Sequence, residues 1–285
     1  MYTINCNGKI LALDTPALMG IINITPDSFY KGHMSLGIIE LVAMAEKMVV
    51  EGAAIIDIGG QSTRPGSKMI GEAEEMQRVL PVIEAIHQKD PSMIISVDTF
   101  YSSVAAAACK AGASMVNDIS SGTIDRDMLS TVAGLNLPYV CMHLKGLPGT
   151  MQAEPLYDDV VQEVLEFFIQ RLEACRAAGI TDMIIDPGFG FGKTIEHNFT
   201  LLKNLSVFRM LGKPLLAGLS RKSTVYKTLG ITATEALNGT SVLNTLALHN
   251  GASILRVHDV KEAKEAVTLF NAYKKAPPQR GAFPM

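Results

Sequence analysis

The chain is poor in cysteine: Cys6, Cys109, Cys141 and Cys175 are its four, and no two form a C-x-x-C pair. That speaks against both a disulfide framework and structural zinc, and predicts the reduced thiols of a cytoplasmic protein. Excess charge of one sign is lacking too. Lys+Arg 25 against Asp+Glu 28 leave a formal net charge of −3. No global basic field exists to hold nucleic acid or an anionic membrane, so neither is an expected partner. Local basic residues still leave room for a small anionic ligand. No apolar run approaches the roughly 18 residues of a membrane span. The opening residues, MYTINCNGKILALD, have no basic stretch followed by an apolar core, so no signal peptide is expected. Charged residues make up only 19% of 285, against 48% hydrophobic. That balance excludes intrinsic disorder, and the length suffices to bury a real core.

What is present is a repeated alternation. Tyr2 to Leu13 alternates around Asn7-Gly8, a hairpin signal because both residues tolerate φ > 0. From Ala17 onward, eight short apolar runs follow in turn: ALMGIINI, AAIIDI, MIISV, SMVNDI, PYVCM, DMIID, PLLAGL and SILRV. Such nearly continuous runs suit buried parallel strands. Between them lie stretches of helical spacing. Leu156, Val160, Val164, Phe168 and Leu172 form one stripe closed by Gly179; Ile38, Val42, Ala45 and Val49 form another before Gly52. Pro81 is expected to bend or restart the helix after Gly71. The pattern predicts an α/β chain folded as one (β/α)₈ barrel with an N-terminal β-hairpin. The rival open sheet lacks its G-x-G-x-x-G fingerprint. One domain is expected over 1–275, with 276–285 as a C-terminal tail.

The apolar runs finish on Asn23, Asp57, Asp98, Asn117, His143, Asp186, Ser220 and His258. In a closed barrel all eight ends point to the face where active sites sit. One Asn or Asp there is ordinary loop chemistry; eight polar terminations predict a polar cup. Asn23 offers an oxygen suited to Mg²⁺. Thr63 and Arg64, after the glycine pair Gly59-Gly60, offer a hydroxyl and a guanidinium to an anion. Asp186-Pro-Gly-Phe-Gly-Phe-Gly-Lys-Thr resembles a P-loop only superficially, because Pro187 stands where a Walker glycine is required. Its glycines suggest close backbone approach to a flat ligand, with Phe191 as a wall. Ser223 opens a short helical stretch able to receive an anion, and Arg256 and His258 add two phosphate contacts. His33, His87, His197 and His249 show no metal-ligand spacing.

NITPDSF, GAAIIDIGGQSTRPGS, SVDT, VNDIS, the segment from Met142 to Gln152, DPGFGFGK, LSRKS and RVHDV occur together, in order, over residues 20 to 260. In this the chain resembles the dihydropteroate synthase family. It departs at Gln61, where the family more often has Glu, and at Tyr30-Lys31. The resemblance implies a homodimeric transferase that condenses 6-hydroxymethyl-7,8-dihydropterin diphosphate with 4-aminobenzoate and releases pyrophosphate. It implies that Asp98, Asn117 and Asp186 read the pterin edge and that Met142 lines the pocket. Lys222 would approach the pterin carbonyl side, and Arg256 would stack on the ring. Asn23 would hold Mg²⁺, and Thr63, Arg64 and His258 would bind the diphosphate. Ser223 and Phe191 would receive the arylamine. Thr63, Arg64, Asp98 and Lys222 are implied to act on the chemistry. Two relatives of the same barrel, a corrinoid-dependent pterin methyltransferase and a catalytically silent pterin binder, are disfavoured. The first has no use for the Ser-Thr-Arg-Pro-Gly loop or the Ser-Arg-Lys-Ser start, and intact Asn23, Thr63, Arg64, Lys222 and His258 argue against the second.

Overall fold

The computed structural model describes residues 2–24, 34–61, 69–146, 151 and 155–276. A hairpin comes first, β1 (Thr3–Cys6) paired antiparallel with β2 (Lys9–Ala12). Asn7 and Gly8 both turn with positive φ, 54° and 86°, as a tight two-residue hairpin requires. Eight parallel strands follow: β3 (Ala17–Asn23), β4 (Ile55–Gly59), β5 (Ile94–Asp98), β6 (Met115–Asp118), β7 (Tyr139–Met142), β8 (Met183–Asp186), β9 (Leu216–Ala217) and β10 (Ile254–Val257). All eight predicted runs are strands. They hydrogen-bond in the order β8-β7-β6-β5-β4-β3-β10-β9. A parallel bridge from Ile185 to Leu215 joins the two outer members and nearly closes the barrel.

Alternation along each strand divides two cores. Leu18, Ile56, Ile95, Val116, Cys141, Ile185, Ala217 and Leu255 face the helices, while Met19, Ile55, Ile94, Met115, Val140, Ile184, Leu216 and Ile254 fill the barrel floor. The hairpin seals that floor with Ile4, Cys6 and Leu11. Apolar packing therefore occupies the lower barrel, and polar residues are left for its upper mouth.

The helices that follow the strands are α1 (Met34–Glu51), α2 (Glu72–Lys89), α3 (Ser102–Ala111), α4 (Met128–Leu135), α5 (Val160–Ala178), α6 (Ile195–Lys203), α7 (Ser223–Leu229), α8 (Leu237–His249) and α9 (Val260–Lys275). Two helical expectations are corrected. α2 (Glu72–Lys89) runs through Pro81 without a break. Val79, Val82, Ile83 and Ile86 are all buried on its inner face, and that burial on both sides of the proline outweighs one missing backbone hydrogen bond. α5 (Val160–Ala178) starts after Leu156, which is exposed. Asp159 accepts from the Val161 and Gln162 N–H groups, so the cap sets the first turn and the buried stripe is Val160, Val164, Phe168, Leu172 and Cys175. Among the described residues, no helix is long and apolar enough to cross a membrane.

Candidate functional site

Arg256 stands at the centre of the cup. Its Nε donates to Asp57 Oδ2 and its Nη2 to Asp98 Oδ2, each at 2.6 Å. Asn117 Nδ2 donates to the same Asp57 oxygen at 3.0 Å. β10, β4, β5 and β6 thus converge on one ionic knot. Burial opposes the Arg256 charge, but Asp57 and Asp98 outweigh it and raise its pKa. Burial lifts Asp98 to about 7 against the pull of Arg256, with Asp57 and Glu75 adding to the rise. Asp57 is fully buried, and its Oδ1 has no hydrogen-bond partner among the described residues.

A second group forms across the cup. Gly188 N–H donates to Asp186 Oδ1 at 2.8 Å. Lys222 Nζ donates to the Phe189 carbonyl and lies 4.6 Å from the Phe191 ring centre. Burial lowers the Lys222 pKa to about 8, against the opposing charge of Asp186. Burial likewise raises Asp186, with Lys222 pulling it back. A Cβ on Gly218 would stand 3.6 Å from Lys222 Nζ, 3.9 Å from Arg256 Cβ and 4.0 Å from Asp186 Oδ2. Glycine there keeps open the space on which three charged residues face. Phe191 and Met142 belong to one small apolar cluster with Phe100, Ile119 and Met151.

At the rim, Asn23 Oδ1 and Asp98 Oδ2 each lie 3.6 Å from where a Gly59 Cβ would be. The Asn23 side chain is exposed and makes no hydrogen bond among the described residues. Ser220 Oγ meets His258 Nδ1 at 3.0 Å and accepts the His258 backbone N–H at 3.2 Å. Desolvation at the rim, then the Arg256 charge, lower the His258 pKa to about 4. Ser223 opens α7 (Ser223–Leu229), a helix of only seven residues. Thr63 and Arg64 lie outside the described residues, as do Tyr30 and Lys31.

The eight-residue cup is only partly right. Asp57, Asp98, Asn117 and Asp186 do converge, with Asn23 at the rim. His143 turns the other way, edge-on to Phe167 with ring centres 4.8 Å apart. One step beyond a strand end, side-chain direction reverses with the pleat, so a polar residue there can face the helix layer. The glycines of the Asp186 motif are corrected as well. A Cβ on Gly188 would come 2.0 Å from the His143 carbonyl oxygen, and one on Gly192 would come 2.3 Å from that of Lys145. These two admit neighbouring backbone, whereas a Cβ on Gly190 would stand 3.2 Å from Lys222 Cδ, so the third glycine borders a cup side chain.

Spacing singled out neither Asp57, named only as a strand end, nor Lys193, noticed only for its failed P-loop. Glu75 was also missed. It is fully buried, and its Oε2 accepts from Gln61 Nε2 at 3.0 Å. Gln61 also exchanges two hydrogen bonds with the Ile70 backbone, at 2.9 and 3.2 Å. An amide suits this spot because it can donate to a buried carboxyl, where a carboxylate would meet like charge.

A family model described as pterin binding enzyme matches residues 19–258. The dihydropteroate synthase of Escherichia coli K12 is 44% identical over 267 residues, covering 93% of this chain and 94% of that protein. The Xanthomonas albilineans dihydropteroate synthase solved with 4-aminobenzoic acid superposes with a TM-score of 0.89 at 42% identity, over 96% of this chain and 99% of that one. The same organism's enzyme in complex with 7,8-dihydropteroate gives 0.87 at 39% identity, over 97% and 100%.

Proposed function

The chain belongs to the dihydropteroate synthases, transferases of folate biosynthesis within the pterin-binding enzymes, and on that premise we propose how its own residues carry out the reaction. The single observation that carries the reading is the convergence of Asp57, Asp98, Asn117, Asp186, Lys222 and Arg256 in one barrel mouth. The substrates are 6-hydroxymethyl-7,8-dihydropterin diphosphate and 4-aminobenzoate.

The pterin lies above the floor between Asp186 and Asn117. Its amino and ring N–H groups need buried acceptors, and Asp186 Oδ2 remains open once Gly188 has taken Oδ1. Lys222 donates to the ring carbonyl, and Arg256 stacks on the ring face. The diphosphate extends to the rim, where His258 binds it; Thr63 and Arg64, outside the described residues, are assigned to the same group on the family resemblance alone. His258 is neutral near pH 7 and acts there as an N–H donor rather than as a cation. The arylamine rests against Phe191, its carboxylate on the Ser223 hydroxyl.

The reaction breaks the bond from the methylene carbon to the diphosphate oxygen, and the electron pair leaves with pyrophosphate. The dihydropterin ring spreads the positive charge left on that carbon, and the Asp98 carboxylate supports it electrostatically. The arylamine nitrogen then forms the new C–N bond and loses a proton. Asn23 fits a hard cation through its unengaged amide oxygen on the Asp98 side of the rim, so we assign it as the residue that would hold Mg²⁺. Bound there, Mg²⁺ would neutralise charge on the departing pyrophosphate.

We further read residues 1–275 as one domain in the cytoplasm, consistent with four free cysteines. A homodimer would cover the exposed Leu229, Val242 and Leu246 of α7 and α8 (Leu237–His249). The direct test is pyrophosphate release requiring both substrates and Mg²⁺. Release without 4-aminobenzoate, or none with both substrates, would refute the assignment.

A further inference from the structure

Lys193 is buried with no carboxylate within ion-pairing distance among the described residues, an unusual situation for a lysine. Its Nζ instead meets three close acceptors, His143 Nδ1 at 2.9 Å, the Gly188 carbonyl at 2.9 Å and the Phe191 carbonyl at 3.0 Å, with the His143 carbonyl as a longer fourth contact at 3.4 Å. Three donors on one atom, carried by a long apolar stem, match that arrangement as no other side chain does. The two carbonyls bracket the stretch 188–191. Within it, the Phe189 carbonyl receives Lys222, and the Phe191 ring lies beneath the same ammonium. Gly188, Gly190 and Gly192 have φ of +70°, +82° and +60°, so the stretch has little intrinsic preference for its shape. Something must hold it.

We propose that Lys193 is a positioning residue for the transferase reaction, tying both ends of the 188–191 stretch to His143 so that Phe191 and Lys222 stay set for the arylamine and the pterin. Lys193 touches neither substrate and acts through the loop. Burial, followed by the opposing pull of Asp186, leaves its pKa well below the usual lysine value. Packing lowers His143 to about 2, so its ring is neutral. The Lys193–His143 contact is therefore balanced in either of two forms. An ammonium can donate to bare Nδ1, or a neutral amine can accept from Nδ1–H while its own two hydrogens serve the carbonyls. Within the stretch the Phe191 N–H also donates to the Gly188 carbonyl at 3.1 Å. Two braces on the loop from farther along the chain end elsewhere: Tyr157 Oη donates to the Gly192 carbonyl at 2.8 Å, and Gly190 N–H donates to Asn198 Oδ1 at 2.7 Å. Neither reaches the carbonyls of Gly188 or Phe191.

The inference rests on assigning Phe191 to the arylamine, and the experiment separates the two. Steady-state pyrophosphate release is measured for Lys193→Met, His143→Phe and Phe191→Ala. Positioning predicts that Lys193→Met raises the KM for 4-aminobenzoate about tenfold, while kcat at saturation falls less than about threefold. A purely structural lysine would lower the melting temperature and the active fraction and leave that KM unchanged. His143→Phe keeps the ring packed on Phe167, removes one acceptor and should raise the same KM about threefold. It decides the matter if Lys193→Met does not fold. Unchanged KM in the variants that fold, with a raised KM in Phe191→Ala, overturns the role of Lys193. Unchanged KM in Phe191→Ala removes the arylamine assignment and this proposal with it.

Discussion

Arg221 grips Asp259 through two parallel hydrogen bonds, Nε to Oδ2 and Nη2 to Oδ1, both at 2.8 Å. Arg221 is also one of four non-glycine residues with positive φ among the described residues, at 53°. That conformation costs about 1 kcal/mol or more for an L-residue, and it persists only where the surroundings hold it. Here Nη1 also donates to the Thr234 carbonyl at 2.8 Å, and the backbone N–H donates to Thr240 Oγ1 at 3.1 Å. The reversal lets Ser220 meet His258 on one side while Lys222 swings toward Phe189 on the other. Asp259→Ala should therefore destabilise the fold by about 1–2 kcal/mol, a charged bidentate contact discounted for its partial exposure. Urea midpoints at constant slope measure it. A neutral result would mean that the carbonyl and Thr240 contacts suffice.

Gly218→Ala tests the cup more directly. The added methyl would meet Lys222, Arg256 and Asp186 at 3.6 to 4.0 Å, ordinary contact distances. Folding stability should stay within about 1 kcal/mol of wild type. Yet the methyl occupies the space that a pterin must fill, and overpacking of about 1–3 kcal/mol should appear as lost affinity. Calorimetry with a pterin analogue checks this; unaltered affinity would move the pterin away from Gly218.

The barrel was legible because its eight apolar runs and polar terminations are local signals, each carried by five to eight consecutive residues. Asp98, Asn117 and Asp186 are such terminations; the first two join through Asp57 and Arg256, and Asp186 faces them across the cup. Asp57 ended a run too, but its partnership with Arg256 spans 199 residues and depends on β10 closing beside β3. No spacing rule reaches that far. Pro81 and Leu156 misled for the opposite reason, since local preference yielded to burial in one and to the Asp159 cap in the other. The direction of His143 depended on the pleat at a strand end, where one residue of uncertainty reverses the face.

Lys222 should impose a pH dependence. Burial first, against the opposing charge of Asp186, lowers its pKa from 10.5 to about 8. Between those values the unfolded chain holds a proton that the folded one has lost, so this group's contribution makes the free protein more stable as pH rises through that window. Pterin binding has the opposite sign. The donor to the ring carbonyl is a full ammonium only below about pH 8, so affinity should weaken as pH rises beyond it. Urea midpoints of the free protein against pH, for wild type and Lys222→Met, check the first; a pterin analogue titrated into the same two proteins from pH 6.5 to 9.5 checks the second. A Lys222→Met curve that kept the same alkaline decline would assign it to another group.

The two ends of the mouth should separate kinetically. His258 is held by Ser220 at the rim, where the departing pyrophosphate gathers charge as the carbon–oxygen bond lengthens. Its contact strengthens in the transition state, so His258→Ala should lower kcat. Ser223 stands at the start of α7, beyond Lys222, and would touch a carboxylate that changes little during reaction. Such uniform binding appears in KM alone, and Ser223→Ala should raise the KM for 4-aminobenzoate by the equivalent of about 0.5–1.5 kcal/mol. Because the His258 pKa is lowered to about 4, its contribution should not change between pH 6 and 8. Steady-state kinetics on both single variants, at the two ends of that range, settles the division. If Ser223→Ala lowers kcat and leaves that KM unchanged, the arylamine carboxylate lies elsewhere. If the loss in His258→Ala instead grows as pH falls from 8 to 6, the imidazole acts as a cation and the neutral-donor role fails.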